Sequence, residues 1–410
     1  MKIIHTSDWH LGAKLHERDR SDDHRRFLDF LRGVIESERP DALLIAGDVF
    51  DVRQPTPAAQ RLYYDFIAET ARAGLCPSIV VTAGNHDSPQ LLAAADQVLR
   101  RLGVRVVAKP GDCATDEVVT LNDGRGGCGL AIAAVPFIND ATLANFCRDA
   151  SADAPGEPQK MQQRIARGFR AHYDAVMAEA RRQAAGAPIV AMGHCTITGS
   201  RLSDQRSERG RQIGGLDERD AAAFSAADYV ALGHLHIPQK IDAAGRIRYC
   251  GSPLPMSFAE AGARKFINVV ELGERAGDAV NVREIAVPEF TPLRVLDGSQ
   301  EKIRADLATL AANATTPVLA ALKVTEGEGD MAAFVNGVRA IVNGSRVEIL
   351  PIEDARQRPS GAIQTIRETA TLDALSPYDV AMLRLTDEHL SADELSTYSS
   401  MLTDVISEVS

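Results

Sequence analysis

The chain has 410 residues, of which 45% are apolar and 25% are charged. This excludes a single small module and a disordered or fibrous chain. No apolar run reaches the roughly 18 residues that span a bilayer, and the start MKIIHTSDWH predicts a strand where a signal peptide needs an apolar segment. We therefore expect a soluble, cytoplasmic protein. The six cysteines form no C-x-x-C pair, which favours reduced thiols over disulfides or a zinc knuckle.

The net charge of −11 is unevenly distributed along the chain. Residues 361–410 have nine acidic residues against two arginines, a net charge of −7, which leaves residues 1–360 at only −4. Basic clusters at residues 18–26, 160–170 and 201–211 are compatible with nucleic-acid contacts and equally with solvated surface. The overall acidity therefore does not exclude a nucleic-acid partner.

Through residue 271, short runs rich in Val, Ile and Ala alternate with longer amphipathic stretches, which predicts sheets covered by helices. The predicted strands are, in chain order, residues 2–5, 42–46, 78–82, 130–134, 189–192, 229–232, 247–249 and 266–271. Helices are predicted at residues 22–38, 57–73, 88–102 and 158–184, with a loop at residues 151–158.

A second pattern begins near residue 288 and predicts a small α+β unit. Its elements are strand 293–296, helix 300–312, strand 318–324, helix 331–342 and strand 346–350. A polar segment then leads to two short amphipathic helices, 377–385 and 392–409, whose apolar faces need a partner. The predicted domains are therefore residues 1–285, 286–355 and 356–410.

Five short motifs rich in Asp, Asn and His follow predicted strands. They are Asp8-Trp9-His10, Gly47-Asp48-Val49-Phe50-Asp51, Gly84-Asn85-His86-Asp87, Gly193-His194 and Gly233-His234-Leu235-His236. In layered α/β folds, ligand sites gather at the carboxyl ends of strands, so five strands can bring these side chains to one crevice. A single Gly-Asp or Gly-His pair is usually structural, but five such motifs together indicate a site.

The candidate ligands are two carboxylates, one amide and four imidazoles, without a thiolate: Asp8, Asp48, Asn85, His10, His194, His234 and His236. This mixed oxygen and nitrogen set suits Mn²⁺, Fe or Zn²⁺. Seven ligands exceed what one ion needs, so two ions are predicted, and a carboxylate such as Asp48 is a natural bridge between them. The glycines that precede the ligands fit tight exits from the strands.

The order of these motifs resembles the calcineurin-like metallophosphoesterase superfamily over residues 1–258. More narrowly, the runs Thr6–Gly12, Gly47–Asp51 and Tyr249-Cys250-Gly251-Ser252-Pro253, with Ser257-Phe258, are similar to the SbcD-type nucleases of bacteria. The resemblance implies an α/β fold, a layered α-β-β-α sandwich, followed by a small α+β capping domain and a C-terminal helical tail.

The resemblance also implies how the two metal ions are held. One Mn²⁺ would be bound by Asp8, His10, Asp48 and His236, and the other by Asp48, Asn85, His194 and His234. Fe and Mg are the alternatives to manganese. Two such ions would activate water and neutralise charge on the phosphoryl oxygens.

Three further residues would act beside the ions. His86 would face the scissile phosphate and stabilise or protonate the leaving oxygen. Asp87 would orient His86 or a ligand. Asp51 stands where archaeal and eukaryotic relatives often carry His, so it would assist catalysis, orient another side chain or only close the loop.

The activity implied by the resemblance is that of a Mn-dependent DNA exonuclease and endonuclease acting on double-strand ends and hairpins in DNA repair, recombination and replication. Residues 286–355 would position DNA, or would only pack against the rest of the chain. The acidic C-terminal helices would bind an SbcC-like ATPase of the SMC type, or would self-associate. A homodimer within a heterotetramer is also implied, with contacts near residues 57–102.

Two other functions stay open. One is a phosphodiesterase or phosphatase that acts on small molecules or phosphoproteins with the same metal core. The capping unit, the acidic tail and the basic clusters argue against it, because a small substrate needs none of them. The other is a non-catalytic scaffold, which predicts eroded ligands, whereas all seven ligands and His86 are present.

Overall fold

A computed structural model describes residues 1–146, 158–200 and 218–356. Most of the predicted loop at residues 151–158, the basic cluster at 201–211 and the C-terminal helices lie outside the described residues. The described residues divide into two compact units, one within residues 1–295 with 315–320 and the other within residues 296–314 and from residue 321 onward. The domain boundaries at residues 285 and 355 stay predictions.

The described residues form nineteen β-strands and eight α-helices. The strands are, in chain order, β1 (Lys2–Thr6), β2 (Lys14–Leu15), β3 (Arg18–Asp19), β4 (Ala42–Ala46), β5 (Ile79–Thr82), β6 (Val104–Val107), β7 (Val118–Asn122), β8 (Cys128–Ala134), β9 (Ile189–His194), β10 (Thr196–Ile197), β11 (Glu218–Arg219), β12 (Tyr229–Gly233), β13 (Gln239–Lys240), β14 (Ile247–Tyr249), β15 (Phe266–Leu272), β16 (Val280–Ala286), β17 (Leu293–Ser299), β18 (Val318–Glu326) and β19 (Val347–Asp354). The α-helices are α1 (Ser21–Glu38), α2 (Pro57–Arg72), α3 (Pro89–Ala93), α4 (Asp96–Arg100), α5 (Asp140–Phe146), α6 (Pro158–Ala184), α7 (Gln300–Asn313) and α8 (Met331–Val342).

Two six-stranded mixed sheets form the centre of the larger unit. The first has the order β16-β15-β1-β4-β5-β6 and the second the order β13-β14-β12-β9-β8-β7. Strands β1, β4, β5 and β6 are parallel, and so are β8, β9, β12 and β14. Buried aliphatic side chains from both sheets, including Leu44, Val190 and Ala231, form one cluster. The two sheets therefore face each other across a shared core.

Helices cover the outer face of each sheet. Phe27 of α1 and Phe66 of α2 are buried in a cluster with side chains of the first sheet. Phe169 and Val176 of α6 are buried in a cluster with side chains of the second. This confirms the predicted α-β-β-α sandwich.

The helix predicted at residues 88–102 is wrong as a single element. It is two short helices, α3 and α4, because Ala95 leaves the helical conformation at φ −99° and ψ 8°. Strands β6, β7 and β16 and helix α5 were not predicted. Strand β16 lies at the edge of its sheet, where polar residues such as Asn281, Arg283 and Glu284 are tolerated. These residues hide the alternation that predicts a strand.

The predicted α+β unit corresponds to the three-stranded sheet β17-β18-β19 and the helices α7 and α8. Each helix begins at a side-chain cap. Ser299 accepts a hydrogen bond from the Lys302 amide at 3.2 Å, and Asp330 accepts one from the Ala332 amide at 2.9 Å. Among the described residues, no helix has the length and apolarity that crossing a membrane requires.

Candidate metal centre

The five motifs lie at strand ends on one edge of the sandwich. The first three follow β1, β4 and β5, which are adjacent and parallel in the first sheet. The other two end β9 and β12, which are adjacent and parallel in the second sheet. The carboxyl ends of both sets of strands therefore deliver their side chains to one place.

Trp9 anchors the first motif. Its ring is fully buried, packs edge-on against Phe27 and Phe66, and donates a hydrogen bond from Nε1 to Thr6 Oγ1 at 2.9 Å. Because Trp9 is held in the core, its neighbours Asp8 and His10 face the site.

The backbone at four predicted ligands is left-handed. The φ angles are 51° at Asp8, 45° at His10, 49° at Asp48 and 98° at His234. Residues other than glycine seldom adopt this conformation, and such strain is concentrated at functional sites. Hydrogen bonds hold this left-handed backbone in place. For example, the Asp8 amide donates to the Gly47 carbonyl at 3.0 Å.

A first group of ligand atoms forms around His10. Its Nε2 lies 3.1 Å from Nε2 of His236 and 3.5 Å from Oδ2 of Asp48. Asp8, His10 and His236 each offer one ligand atom within 4.8 Å of the others. These are the residues that the resemblance assigns to one ion.

A second group forms around Asn85. Its Oδ1 lies 3.0 Å from Nε2 of His194 and 3.0 Å from Nδ1 of His234. Nε2 of His194 is also 3.3 Å from Oδ2 of Asp48. The same Asp48 oxygen is therefore near both groups.

The hydrogen-bond partners of His194 indicate that the second group suits a cation. Nδ1 of His194 is 3.0 Å from the Ala46 carbonyl, to which it can only donate. In the neutral ring Nε2 is then an acceptor, and it faces the acceptor oxygens of Asp48 and Asn85. Acceptors this close repel one another, whereas ligands bound at right angles to one ion at about 2.1 Å lie about 3 Å apart. The donor set therefore fits divalent metal ions.

The pKa values of His194 and His234 also favour a bound cation. Burial lowers the pKa of His194, but the charges of Asp48 and Asp8 outweigh it and raise that pKa to about 9. Burial and the neighbouring His194 lower the pKa of His234 to about 3. In the protein alone, a proton on His194 takes the place of a cation, and His234 stays neutral, as a ligand must.

Asp51 connects two other residues of the site. Its Oδ1 lies 3.4 Å from Nδ1 of His10, on the opposite side of the ring from Nε2, and its carbonyl accepts a hydrogen bond from Nδ1 of His86 at 2.7 Å. These contacts are those expected of a residue that orients other side chains. His10, Asp51 and His86 also offer three ligand atoms within 4.8 Å, so ligation by His86 is a competing role.

Asp87 joins two of the motif loops. It accepts hydrogen bonds from the amides of Gly84 at 2.8 Å, Val49 at 3.2 Å and Phe50 at 2.9 Å. Burial and the charge of Asp48 raise its pKa to about 6. Its contacts are with loop backbone, which favours support of the site over direct chemistry.

Lys265 and Glu260 lie behind His236 and were missed by the sequence analysis. Lys265 Nζ donates a hydrogen bond to the His236 carbonyl at 2.9 Å and pairs with the Glu260 carboxylate. A Glu at the end of a short 3-10 helix and a Lys five residues later carry no recognisable signal in the sequence. Only the fold brings them to the site.

We expect Gly47→Ala to destabilise the protein by about 2–4 kcal/mol, because it combines a left-handed residue with overpacking. Gly47 has φ 83°, and a Cβ there would overlap the His194 ring. Chemical denaturation measures the effect. Gly74→Ala is the matched control, since Gly74 has φ 61° but open space around it, and an equal loss in both variants would contradict the packing argument.

Comparisons with known proteins identify the family. Residues 1–238 match the model of the calcineurin-like phosphoesterases. The SbcD component of the SbcCD nuclease of Escherichia coli K12 is 31% identical over 408 residues, which are 99% of this chain and 98% of that protein. The chain belongs to the SbcD family.

Two further SbcD relatives match over a shorter range. The SbcD component of the Rhodobacter capsulatus SbcCD nuclease is 38% identical over 299 residues, 72% of this chain and 71% of that protein. The Bacillus subtilis protein of the same name is 34% identical over 300 residues, again 72% and 71%. Residues 289–389 match the model of the type 5 capsule protein repressor C-terminal domain. As a member of the SbcD family, the chain is a metal-dependent phosphodiester hydrolase that uses divalent metal ions.

Proposed function

We propose that the chain is the nuclease component of an SbcCD-type complex and hydrolyses DNA phosphodiester bonds with two Mn²⁺ ions. The observation that carries this proposal is the position of Asp48, whose Oδ2 lies 3.5 Å from a ligand atom of one group and 3.3 Å from one of the other. The relatives are named as parts of a nuclease, which supports a nucleic-acid substrate.

The ligand assignment follows the two groups. Asp8, His10, Asp48 and His236 would hold one ion, and Asp48, Asn85, His194 and His234 the other. When bound, two such ions lower the pKa of water and neutralise charge on the phosphoryl oxygens. Manganese accepts carboxylate, amide and imidazole ligands together, and the set has no thiolate that would favour a softer metal.

His86 is proposed to deliver a proton to the leaving oxygen. The residue is partly exposed, unlike the buried His10 beside it. Its Nδ1 hydrogen is held by the Asp51 carbonyl, so a proton on Nε2 requires the imidazolium form. That form donates from Nε2 and keeps its orientation through Nδ1, as general acid catalysis requires.

Cleavage of a labelled DNA hairpin by the purified chain in Mn²⁺ tests the proposed function, with bis(4-nitrophenyl) phosphate as a small diester. We expect both substrates to be cleaved and chelation to stop both reactions. Turnover of the diester without DNA cleavage, even with the partner ATPase and ATP, would favour the small-substrate phosphodiesterase. No turnover of either would contradict the nuclease.

The proposed partners are double-stranded and hairpin DNA and an SbcC-like ATPase. The relatives' name describes one component of the SbcCD nuclease, which supports such a complex. We place this chain in it as a cytoplasmic homodimer within a heterotetramer. Residues 286–355 would cap the site and position DNA in a repair or recombination role.

The acidic C-terminal segment is proposed to bind the ATPase. Its net charge of −7 over residues 361–410 suits a protein surface better than a phosphate backbone. We expect deletion of residues 361–410 to spare metal binding and to abolish co-purification with the ATPase. Undiminished co-purification would place the docking surface elsewhere, and loss of self-association alone would favour the dimer role.

A further inference from the structure

The Tyr249–Pro253 motif lies against the proposed ligand His236. The Ser252 amide donates a hydrogen bond to the His236 carbonyl at 3.3 Å. Gly251 has φ 76°, and a Cβ there would be 2.6 Å from the same carbonyl oxygen. The loop therefore packs on the His236 peptide without room for a side chain.

A buried ion pair reinforces this contact. Lys265 Nζ donates hydrogen bonds to the His236 carbonyl at 2.9 Å, to Ser252 Oγ at 3.0 Å and to the Glu260 carboxylate. The side chains of Lys265 and Glu260 are only 4% and 2% exposed. All three donors of the ammonium group are used, so its position is fixed from three sides.

The other oxygen of Glu260 faces the imidazole of His236. Oε1 lies 4.0 Å from Nδ1, which is buried and has no hydrogen-bond partner among the described residues. Nε2 of the same ring lies on the side of His10. At 4.0 Å the separation of Oε1 and Nδ1 is beyond hydrogen-bond distance, and Oε1 accepts a hydrogen bond from the Met256 amide at 3.3 Å. Glu260 therefore acts on the ring by its charge and, through Lys265, on the His236 backbone.

The motif also reaches Asp8. Cys250 Sγ is 3.2 Å from Ser7 Oγ, and that hydroxyl donates to the Asp8 carboxylate. Asp8 and His236 are assigned to the same ion. In the part of the chain that the structure describes, no hydrogen bond joins Glu260, Lys265 or the motif loop to Asn85 or His194.

We propose that Glu260 and Lys265 are positioning residues for one metal ion only, the ion bound by Asp8 and His236. Together with the Cys250–Ser252 loop they set the backbone and the ring of His236 and support Asp8. The second ion, held by Asp48, Asn85, His194 and His234, is linked to them only indirectly among the described residues. The Asp8 carboxylate accepts a hydrogen bond from the His234 amide at 2.9 Å, and Tyr249 donates one to the Cys195 carbonyl at 2.6 Å. We therefore expect its affinity to change far less. This inference rests on the proposed two-metal function and assigns a role to the Tyr249–Pro253 motif.

The test is a Mn²⁺ titration of full-length Glu260→Gln, with free Mn²⁺ followed by electron paramagnetic resonance. We expect the affinity of one of the two sites to fall by about 10- to 100-fold, while the other stays within about twofold of wild type. Excess Mn²⁺ should restore turnover of bis(4-nitrophenyl) phosphate. Unchanged affinity at both sites, or an equal loss at both, would overturn the proposal.

Glu117→Gln is the matched control. Glu117 is a buried carboxylate, 1% exposed, that lies 2.9 Å from Nε2 of His172 and outside the site, so both Mn²⁺ affinities should stay as in wild type. If Glu260→Gln does not fold, Ser252→Ala removes one acceptor from Lys265 without uncovering a charge. A loss of about threefold at the same single site is then expected, and no loss would overturn the proposal. Wild-type protein that binds fewer than two ions would contradict the proposed function instead.

Discussion

Asp48→Asn is expected to lose both metal ions and to lower cleavage by about a thousandfold or more, the equivalent of about 4 kcal/mol in the activation barrier. The carboxylate oxygen of Asp48 lies between Nε2 of His10 and Nε2 of His194. An amide in its place supplies no negative charge, and its NH₂ group cannot bind a cation. Oδ1 of Asp48 accepts a hydrogen bond from the His86 amide at 2.9 Å, so the amide oxygen stays at that position and the NH₂ group takes the place of Oδ2. Both sites therefore lose a ligand in one substitution.

Metal analysis of the purified variant, beside hairpin and diester cleavage, measures this effect. Asp41→Asn is the control, because Asp41 lies at the other end of β4 and accepts a hydrogen bond from the Lys2 amide at 2.7 Å. It should bind and cleave as wild type does. If Asp48→Asn retains two ions, Asp48 does not bridge them.

His86→Ala is expected to keep both metal ions and to lose about 10²- to 10⁴-fold in turnover, the usual contribution of a positioned general acid. The ring is held by the Asp51 carbonyl and is not needed to complete either proposed ligand group. Added imidazole should restore part of the activity, since the deleted ring leaves space for it.

The ion count of this variant separates the two roles that the geometry allows for His86. A variant that binds fewer ions would make His86 a ligand beside His10 and Asp51. His172→Ala is a suitable control. His172 is also partly buried and contacts a carboxylate, Glu117 at 2.9 Å, but it lies outside the site. We expect turnover of His172→Ala to stay within about twofold of wild type, as for most substitutions away from a functional site.

Much of the site was predictable because its chemistry is local in the sequence. Each ligand ends a hydrophobic strand or follows one within a few residues, and parallel strands bring their ends to one edge. Both ends of strand β4 were predicted correctly, and β1 was predicted to within one residue, because their residues are buried and apolar.

What sequence reasoning missed depends on contacts between distant segments. The pairing of β1 with β15 joins residues 2–5 to residues 268–271, and no local pattern encodes that register. Glu260 and Lys265 reach the site only because the fold brings them against His236. The edge strand β16 is polar enough to resemble a loop.

The position of β1 has a consequence for how the protein is made. This strand lies inside the first sheet, between β4 and β15, so its second neighbour is synthesised about 260 residues after it. Domains fold as units during synthesis, and pairings of such long range form slowly. The sandwich cannot close until residue 272 has left the ribosome, and its ligands span residues 8 to 236. A nascent chain shorter than this therefore lacks the β15 neighbour of the strand that precedes Asp8 and His10, and we expect hydrolytic activity only after residue 272 has emerged.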